Sequence, residues 1–308
     1  MAFSQVVRAR ELSTSREVAV KTYAMRCKGG RHPGVSPADV RKEIECLEQL
    51  QASAHEGIAN LVATHEGLHG SCHVILEVCS GGSLLRHLQK LGGRTGMAEA
   101  PAATLVAQVG AALAHMHALG VTHRDVKPAN LVFDSAAKER LRLVDFGFAA
   151  IHRGPADAQP RRLHTLCGTP GYLAPEIVRA GGVRSGIGSS KAGYLGPPVD
   201  VWALGCLTYE LTHNKPPFRA ESIASLNVRI LKGNHDECST KLSKEGRAII
   251  RRLLTVDVAE RPSARHATEI VREAYALDGA GSRETSHSAS CSSLGRQSRA
   301  SKDWLTGC

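Results

Sequence analysis

The hydrophobic pattern alternates between stretches with helical spacing and short apolar runs that are separated by polar or glycine-rich breaks. Apolar residues at Val40, Ile44, Leu47 and Leu50 follow residues 36–39, where a serine precedes a proline and an aspartate. Serine is a favoured N-cap residue, and proline is tolerated in the first turn of a helix. The pattern therefore predicts a helix with one buried face.

Two further helices are predicted in the second part of the chain. One begins at Pro101 and presents an apolar stripe toward the core. The stripe consists of Leu105, Val109, Leu113 and Met116. The other opens at residues 199–205 and is apolar on nearly every side, which indicates a helix buried all round.

Short apolar runs predict strands. Residues 119–121, 131–133 and 141–144 each flank a polar break, and residues 58–63 and 73–78 form a second group. Runs of this length, bounded by polar or turn-forming residues, are typical of short buried strands. The mixture of strands and amphipathic helices predicts an α+β fold.

Chemically capable side chains concentrate in the two breaks between the first three runs. The first break has the sequence HRDVKPAN and contains Asp125, Lys127 and Asn130, and the second contains Asp145. Polar groups at the ends of buried strands more often form a site on a rigid frame than a packing contact. A hairpin between the breaks would bring both carboxylates to one cleft.

Composition narrows the class of protein. The 308 residues carry a formal net charge of +10, but the basic residues are spread along the chain, so a nucleic-acid groove is not indicated. Nine cysteines favour reduced thiols and a cytosolic or nuclear protein. We expect neither a secretory leader nor a membrane span, because no sufficiently long apolar run occurs.

The motifs in order resemble those of a known family. HRDVKPAN at residues 123–130, DFG at 145–147 and APE at 174–176 are similar to the signature of eukaryotic protein kinases of the Ser/Thr class. The resemblance covers about residues 3–275. The run CGTPGYLAPE at residues 167–176 looks most like calmodulin-dependent or cyclic-nucleotide-dependent kinases. The family has a bilobal α+β fold with a small β-rich N-lobe and a larger helical C-lobe.

The resemblance implies Mg²⁺ and ATP as cofactors and assigns roles to the polar breaks. Asp125 would orient a substrate hydroxyl and accept its proton, and Lys127 would steady the transferred phosphate. Asn130 and Asp145 would hold Mg²⁺, a hard ion that prefers oxygen ligands. The substrate would be a protein with serine or threonine hydroxyls.

The nucleotide site is also implied residue by residue. Lys21, in a predicted strand, would anchor the ATP phosphates. Glu43 would hold the Lys21 side chain, because the Glu43 carboxylate lies at the edge of an apolar helix face and needs a cation. Apolar residues would enclose the adenine, and backbone groups of Glu77 and Cys79 would pair with it. The enclosing residues are Val6, Ala19, Leu76 and Val132.

The beginning of the chain resembles only the far end of the family's glycine-rich loop, with Ser4 in place of the third glycine. We therefore expect a truncated N-lobe at residues 1–78, a hinge and C-lobe at 79–277, and a disordered Ser/Arg-rich tail at 278–308. The alternative function is a pseudokinase or scaffold whose grip on ATP is impaired by the incomplete loop.

Regulation is expected in the segment before APE. Thr165 matches a position that an activating kinase or autophosphorylation modifies, and Arg124 would pair with the phosphate. Thr169 would bond the catalytic Asp and Lys. The Gly/Ser-rich insert at residues 179–196 predicts a flexible surface loop.

Two pairings and one competing motif complete the predictions. Asp200 would hydrogen-bond the backbone of the catalytic loop, which is the first polar break at residues 123–130. Arg261 would form a buried ion pair with Glu176. Residues 65–69 match the zinc-protease pattern His-Glu-x-x-His, which needs a helix. Glycines and strand-like flanks favour a strand–turn–strand there instead.

Overall fold

The structure is a computed structural model that describes residues 4–24, 35–67, 71–91, 96–153, 159–181 and 187–277. The predicted tail at residues 278–308 lies outside these ranges, as do residues 182–186 of the insert. None of the helices in the described ranges has the length and apolar character needed to cross a lipid bilayer.

The N-terminal part is an antiparallel sheet with a helix. Its strands are β1 (Ser4–Arg10), β2 (Glu17–Ala24), β3 (Leu61–Glu66) and β4 (Ser71–Glu77), in the spatial order β1-β2-β4-β3. Helix α1 (Pro37–Leu50) lies between β2 and β3 in the chain and contacts β3. The order leaves β1 at one edge of the sheet.

Helix α1 forms as its sequence predicts. The side chain of Ser36 accepts a hydrogen bond from the backbone N–H of Ala38 at 3.3 Å, which satisfies one of the free donors of the first turn. Val40, Leu47 and Leu50 are buried in the main core. Glu43 is also buried, only 2% exposed, so the helix carries one carboxylate into the interior.

The C-terminal part is larger and mostly helical, which with the sheet gives the predicted α+β organisation. The helices are α2 (Leu84–Lys90), α3 (Glu99–Ala118), α4 (Pro175–Arg179), α5 (Gly196–His213), α6 (Ile223–Leu231), α7 (Lys244–Leu253) and α8 (Ala264–Ala274). The strands are β5 (Val121–Thr122), β6 (Leu131–Phe133), β7 (Leu141–Leu143), β8 (Ala150–Ile151), β9 (Leu163–Cys167) and β10 (Ile187–Tyr194). They pair antiparallel as β5 with β8, β6 with β7 and β9 with β10.

Two apolar cores meet at helix α5. The main core joins the sheet and α1 to α3, α5 and α8, and the predicted α3 stripe lies fully within it. The second core surrounds Trp202 of α5, which stacks on Phe218 with ring centroids 5.4 Å apart. Because α5 contributes to both cores, it is buried all round, as predicted.

Several element boundaries differ from prediction. Helix α3 begins at Glu99 rather than at Pro101, with Ala98 as its N-cap, and the carboxylate of Glu99 accepts hydrogen bonds from Ser243 at the start of α7. The run predicted at residues 58–63 forms a strand only from Leu61 to Glu66. Such boundaries depend on partners that a local pattern does not contain.

The prediction of a flexible loop at residues 179–196 is wrong for most of the insert that the structure describes. Arg179 ends α4 and Gly196 begins α5, while Ile187–Tyr194 is strand β10, paired with β9. Glycine and serine have low strand propensity, so the local sequence favours a loop. The strand forms because β9 offers it an edge.

Candidate active site

The first polar break forms a tight loop between β5 and β6. The buried carboxylate of Asp200, on α5, accepts hydrogen bonds from the backbone N–H groups of His123 at 2.9 Å and Arg124 at 2.7 Å. Nε2 of His117 lies 2.8 Å from the same carboxylate. Arg124 has φ of 68°, a left-handed conformation that costs a bulky residue free energy. Asp200 holds the loop in this shape, as predicted.

Asp125 is only 5% exposed and has partners on both carboxylate oxygens. Nζ of Lys127 lies 2.7 Å from Oδ2, and Nδ2 of Asn130 donates to the same atom at 2.8 Å. The hydroxyl of Thr169 donates to Oδ1 at 2.7 Å and accepts from Nζ of Lys127 at 2.8 Å. The structure thus joins four residues that the sequence predicted to act together.

Asp145 approaches this cluster through the β6–β7 hairpin. The neighbouring Val144 donates its N–H to the carbonyl of Asn130 at 3.0 Å, so the two polar breaks are hydrogen-bonded to each other. Asp145 has φ of 63°, and its side chain is 52% exposed. Burial alone would raise the pKa of Asp145, but the Lys21 ammonium holds it below its ordinary value. Asp145 is therefore a carboxylate anion that faces solvent.

Lys21 joins the sheet to both helix α1 and the hairpin. Its Nζ lies 2.9 Å from Oε1 of Glu43 and 2.6 Å from Oδ1 of Asp145. The hydroxyl of Tyr23 donates to Oε2 of Glu43. Burial alone would lower the pKa of Lys21, but the Glu43 and Asp145 carboxylates raise it above its ordinary value. The lysine is therefore a fixed cation, and its predicted pair with Glu43 is present.

Strand register puts the predicted nucleotide-contacting residues of the sheet on one face. Directly paired residues of antiparallel strands share a face, as do residues two apart on one strand. Val6 pairs with Lys21, and Ala19 pairs with Leu76. Val6 is 61% exposed, whereas Leu76 is buried, so this face runs from the open edge of the sheet to the core.

The connection after β4 lies against β6. Ser80 and Gly81 donate N–H groups to the carbonyls of Asp134 and Phe133, both at 3.0 Å, next to the half-buried Val132. A Cβ at Gly81 would lie 2.1 Å from the carbonyl oxygen of Ser135, so only glycine fits there. Cys79 is half-buried in this connection.

Glu77 turns its side chain away from the nucleotide-facing surface of the sheet. Its carboxylate lies 2.8 Å from Nη1 of Arg142 and accepts from the Asn60 amide at 3.0 Å. Only the backbone of Glu77 therefore faces any ligand at the end of β4, as the sequence analysis assumed.

Thr165 and Arg124 meet in a way that the sequence did not predict. Nη1 of Arg124 donates at 3.1 Å to the backbone carbonyl of Thr165, and the Thr165 side chain lies on an exposed position of β9. Nη1 also donates at 3.1 Å to the hydroxyl of Tyr194, which sequence reasoning missed. The only signal for Tyr194 was a lone aromatic residue within a Gly/Ser-rich insert.

Glu176 and Arg261 form the predicted pair. Nη1 and Nη2 of Arg261 donate to the two carboxylate oxygens at 2.8 and 3.1 Å, and the guanidinium also lies 5.2 Å from the ring centroid of Trp202. The arginine side chain is fully buried. This pair ties α4, next to the active site, to the segment before α8.

The described part of the competing zinc motif, residues 65–67, is not helical. His65 lies in strand β3, where its ring stacks near His73 with centroids 6.1 Å apart. His69 is outside the described residues. Within the described ranges, no group of three His, Cys, Asp or Glu side chains is arranged to hold a metal ion.

The geometry is that of a phosphoryl-transfer site. It contains the Lys21–Glu43 pair, the hydrogen-bonded cluster of Asp125, Lys127 and Thr169, and the solvent-facing Asp145. The family model of the protein kinase domain matches residues 2–275. The chain belongs to the protein kinase family. This membership accounts for the bilobal α+β fold, and members of the family use ATP and a divalent metal ion.

Relatives of this kinase point to the Ser/Thr class. It is 33% identical over 270 residues to human calcium/calmodulin-dependent protein kinase type 1B, with 86% of this chain and 70% of that protein covered. It is 32% identical to CBL-interacting protein kinase 29 of Oryza sativa subsp. japonica, with 84% and 54% covered. It is 33% identical to the cell cycle serine/threonine-protein kinase CDC5/MSD2 of Saccharomyces cerevisiae, with 72% and 29% covered. The chain is a serine/threonine kinase domain that spans only part of the length of these proteins.

Proposed function

We propose that this domain transfers the γ-phosphoryl group of ATP to a serine or threonine hydroxyl of a protein, with Asp125 as the base. The observation that supports this most is the bonding of Asp125 to Lys127, Asn130 and Thr169. Phosphoryl transfer depends mainly on positioning and charge stabilisation, because its transition state is loosely bonded. A carboxylate with both oxygens fixed meets that need.

Asp125 and Lys127 have separate roles in this mechanism. The incoming hydroxyl donates its hydrogen bond to Asp125, which accepts the proton as the new oxygen–phosphorus bond forms. The bond between the γ-phosphorus and the bridging oxygen of ATP breaks in the same transfer, and ADP leaves. Lys127 lies beside the carboxylate and offsets the charge of the transferred group. Thr169 keeps both side chains at a fixed separation through its two hydrogen bonds.

ATP binding is proposed in the cleft between the sheet and the larger part. Lys21 would contact the phosphates, because Glu43 and Asp145 hold its ammonium at a fixed position. The adenine would lie against Val6, Ala19, Leu76 and Val132 and pair with the backbone at Glu77 and Cys79. Val6, Ala19 and Leu76 lie on one sheet face, Cys79 lies on the connection that follows β4, and Val132 lies on β6, against which that connection packs.

Asn130 and Asp145 fit a divalent ion, and we propose Mg²⁺. Nδ2 of Asn130 is used by Asp125, which leaves its amide oxygen as the atom for an ion. Asp145 presents an exposed carboxylate with a lowered pKa. Both donors are hard oxygens, as Mg²⁺ prefers. Bound there, the ion would neutralise phosphate charge and orient ATP.

Regulation, domain limits and location complete the proposal. Thr165 is the proposed phosphoacceptor of the activation segment, the segment before APE (residues 148–173), modified by another kinase or by the chain itself. Residues 1–78 would form the N-lobe, and residues 79–277 the hinge and C-lobe. A cytosolic or nuclear location accords with the free thiols of the cysteines that the structure describes.

The test is a phosphotransfer assay with labelled ATP, Mg²⁺ and a mixture of Ser/Thr peptides. Asp125→Asn removes the proton acceptor, and we expect the rate to fall by about 10²–10⁴-fold. Asp39→Asn, an equal charge change at an exposed position of α1, serves as the matched control and should retain the wild-type rate.

Equal rates for wild-type protein and Asp125→Asn would end the enzymatic proposal. Thermal stabilisation by ATP in that case would support the pseudokinase or scaffold alternative instead, since a ligand that binds the folded state raises its stability.

A further inference from the structure

Residues 163–167 of the activation segment, which form β9, are paired with the insert. In the β9–β10 register, Cys167 faces Ile187, Leu166 faces Gly188, Thr165 faces Ser189, and Leu163 faces Tyr194 after an irregularity. At the irregularity a side chain contacts the opposite backbone, because Nδ1 of His164 lies 3.0 Å from the carbonyl oxygen of Ser190. The residues just before Thr169 are therefore held as one strand of a two-stranded sheet.

The same sheet is anchored in the second core. Leu163 and Leu166 of β9 and Tyr194 of β10 are buried there with Ile177 of α4 and Trp202 of α5. Tyr194 is only 3% exposed although it carries a hydroxyl. A buried hydroxyl needs hydrogen-bond partners, so its surroundings show what it stabilises.

Tyr194 contacts both the segment and the catalytic loop. Its hydroxyl donates to the carbonyl of Thr165 at 2.7 Å and accepts from Nη1 of Arg124 at 3.1 Å. Nε of Arg124 donates to the carbonyl of Phe148 at 2.6 Å, next to the DFG motif. Arg124 thus joins the residue after DFG, Thr165 and Tyr194 through neutral oxygen acceptors.

We propose that Tyr194 is a positioning residue that, with strand β10, orders the activation segment without a phosphate on Thr165. It acts through Arg124, whose neighbour in the chain is Asp125, and through Thr165 of β9, since Thr169 follows the end of that strand at Cys167. This inference rests on the proposed kinase activity. It assigns to the insert the ordering role that a phosphate would otherwise supply.

A phosphate on Thr165 would then change activity little. A phosphate shifts the equilibrium between an ordered and a disordered segment only as far as its interactions with the rest of the protein differ between the two states. Here the ordered state already has the β9–β10 pairing and the Arg124 and Tyr194 hydrogen bonds. Thr165 can be modified at its exposed side chain, but the segment is ordered beforehand.

The first experiment compares phosphatase-treated protein, protein phosphorylated at Thr165, and Thr165→Ala. We expect the three kcat values to agree within about threefold. A kcat that is about thirtyfold lower or more in both phosphate-free samples would overturn the inference and leave the kinase activity established.

The second experiment separates positioning from folding with two tyrosine variants. Tyr194→Phe removes the hydroxyl that bonds Arg124 and Thr165, whereas Tyr209→Phe removes another buried hydroxyl, one that donates to the carbonyl of Glu237 at 3.2 Å. In phosphatase-treated protein, Tyr194→Phe should lower kcat by about tenfold or more without changing KM for ATP, since a hydrogen bond to a charged group is lost. Tyr209→Phe should leave kcat unchanged.

Amide hydrogen exchange gives a readout independent of activity. Residues 163–167 should be protected in phosphatase-treated wild-type protein and in Tyr209→Phe, and should lose protection in Tyr194→Phe. Unprotected amides there in phosphatase-treated wild type, or full kcat in Tyr194→Phe, would refute the inference. If wild type and Asp125→Asn were equally inactive, the proposed function would fail. Amide hydrogen exchange of residues 163–167 would still decide whether Tyr194 orders β9.

Discussion

At the scale of single residues, Glu210 shows how burial changes the chemistry of a side chain. It lies on α5, and the hydroxyl of Tyr172, from the turn after Thr169, donates to its Oε2. Burial raises the pKa of Glu210 to about 7, because the carboxylate is separated from water. In the folded protein, Glu210 is therefore about half protonated at pH 7 and mostly protonated below it.

The sign of the resulting pH dependence follows from this shift. The folded pKa, about 7, lies above the ordinary value of about 4.3, so the stability that the protonated group contributes is complete below pH 4.3 and is lost as pH rises through 7. We expect Glu210→Gln, which does not titrate, to gain thermal stability relative to wild type between pH 5 and 8. Each pKa unit corresponds to about 1.4 kcal/mol.

Thermal denaturation at several pH values measures this difference. Glu221→Gln, at an exposed carboxylate, is the control and should follow the wild-type curve. Parallel Tm–pH curves for wild type and Glu210→Gln would show that the Glu210 pKa is not raised.

At the scale of elements, helix α5 determines the shape of the catalytic loop. Asp200 accepts two backbone N–H groups from the loop, and one of these belongs to Arg124, whose backbone is left-handed. Arg124 would not hold that conformation by its own preference. The precision of the loop therefore comes from a buried helix far away in the sequence.

Asp200→Asn tests this dependence. An amide has one acceptor oxygen, so its NH₂ group faces a backbone N–H, and an unsatisfied buried donor costs about 1–3 kcal/mol. We expect kcat to fall about tenfold or more, with a lower Tm, while Asp39→Asn changes neither. A loss of Tm with unchanged kcat would mean that Asp200 stabilises the fold without positioning the loop.

At the scale of the whole molecule, the Glu176–Arg261 pair connects distant parts of the larger lobe. Arg261 also donates at 2.7 Å to the carbonyl of Pro198, which lies at the start of α5. The pair thus links α4, α5 and the segment before α8 around one buried charge. Removing one partner would leave the other without compensation.

Arg261→Met should lower the free energy of unfolding by about 3–5 kcal/mol, because Glu176 then stays behind as an unpaired carboxylate. The double variant Glu176→Leu/Arg261→Met should recover part of that loss, since two apolar groups replace the pair. Urea denaturation measures the free energy of unfolding of the single and the double variant. Equal destabilisation by the single and double variants would contradict the buried-pair explanation.

Local pattern and motif spacing predicted most of the site. Ser36 and the apolar face of α1 predicted the helix that presents Glu43, and the two polar breaks predicted the hairpin that joins Asn130 to Val144. Capping and periodicity are properties of neighbouring residues, so they can be predicted from the sequence alone. The start of α3 was missed because its N-cap, Ala98, makes no side-chain hydrogen bond, so the local sequence carries no capping signal there.

The insert was misjudged for a related reason. A Gly/Ser-rich segment has little strand propensity, and β10 exists only because β9 provides hydrogen-bond partners. Likewise, the sequence suggested that Arg124 awaits a phosphate, whereas the structure gives it Tyr194 and the carbonyl of Thr165. Both features depend on contacts between residues that are distant in the chain.

The amino-acid order by itself determined which acids, amides and cations are available, and which stretches bury an apolar face. The tertiary structure alone decided that the insert becomes a strand and that Tyr194 bonds both Arg124 and Thr165. The physical reason is that propensity and periodicity act over a few residues. Strand pairing and the satisfaction of buried polar groups depend on whichever residues the fold brings together.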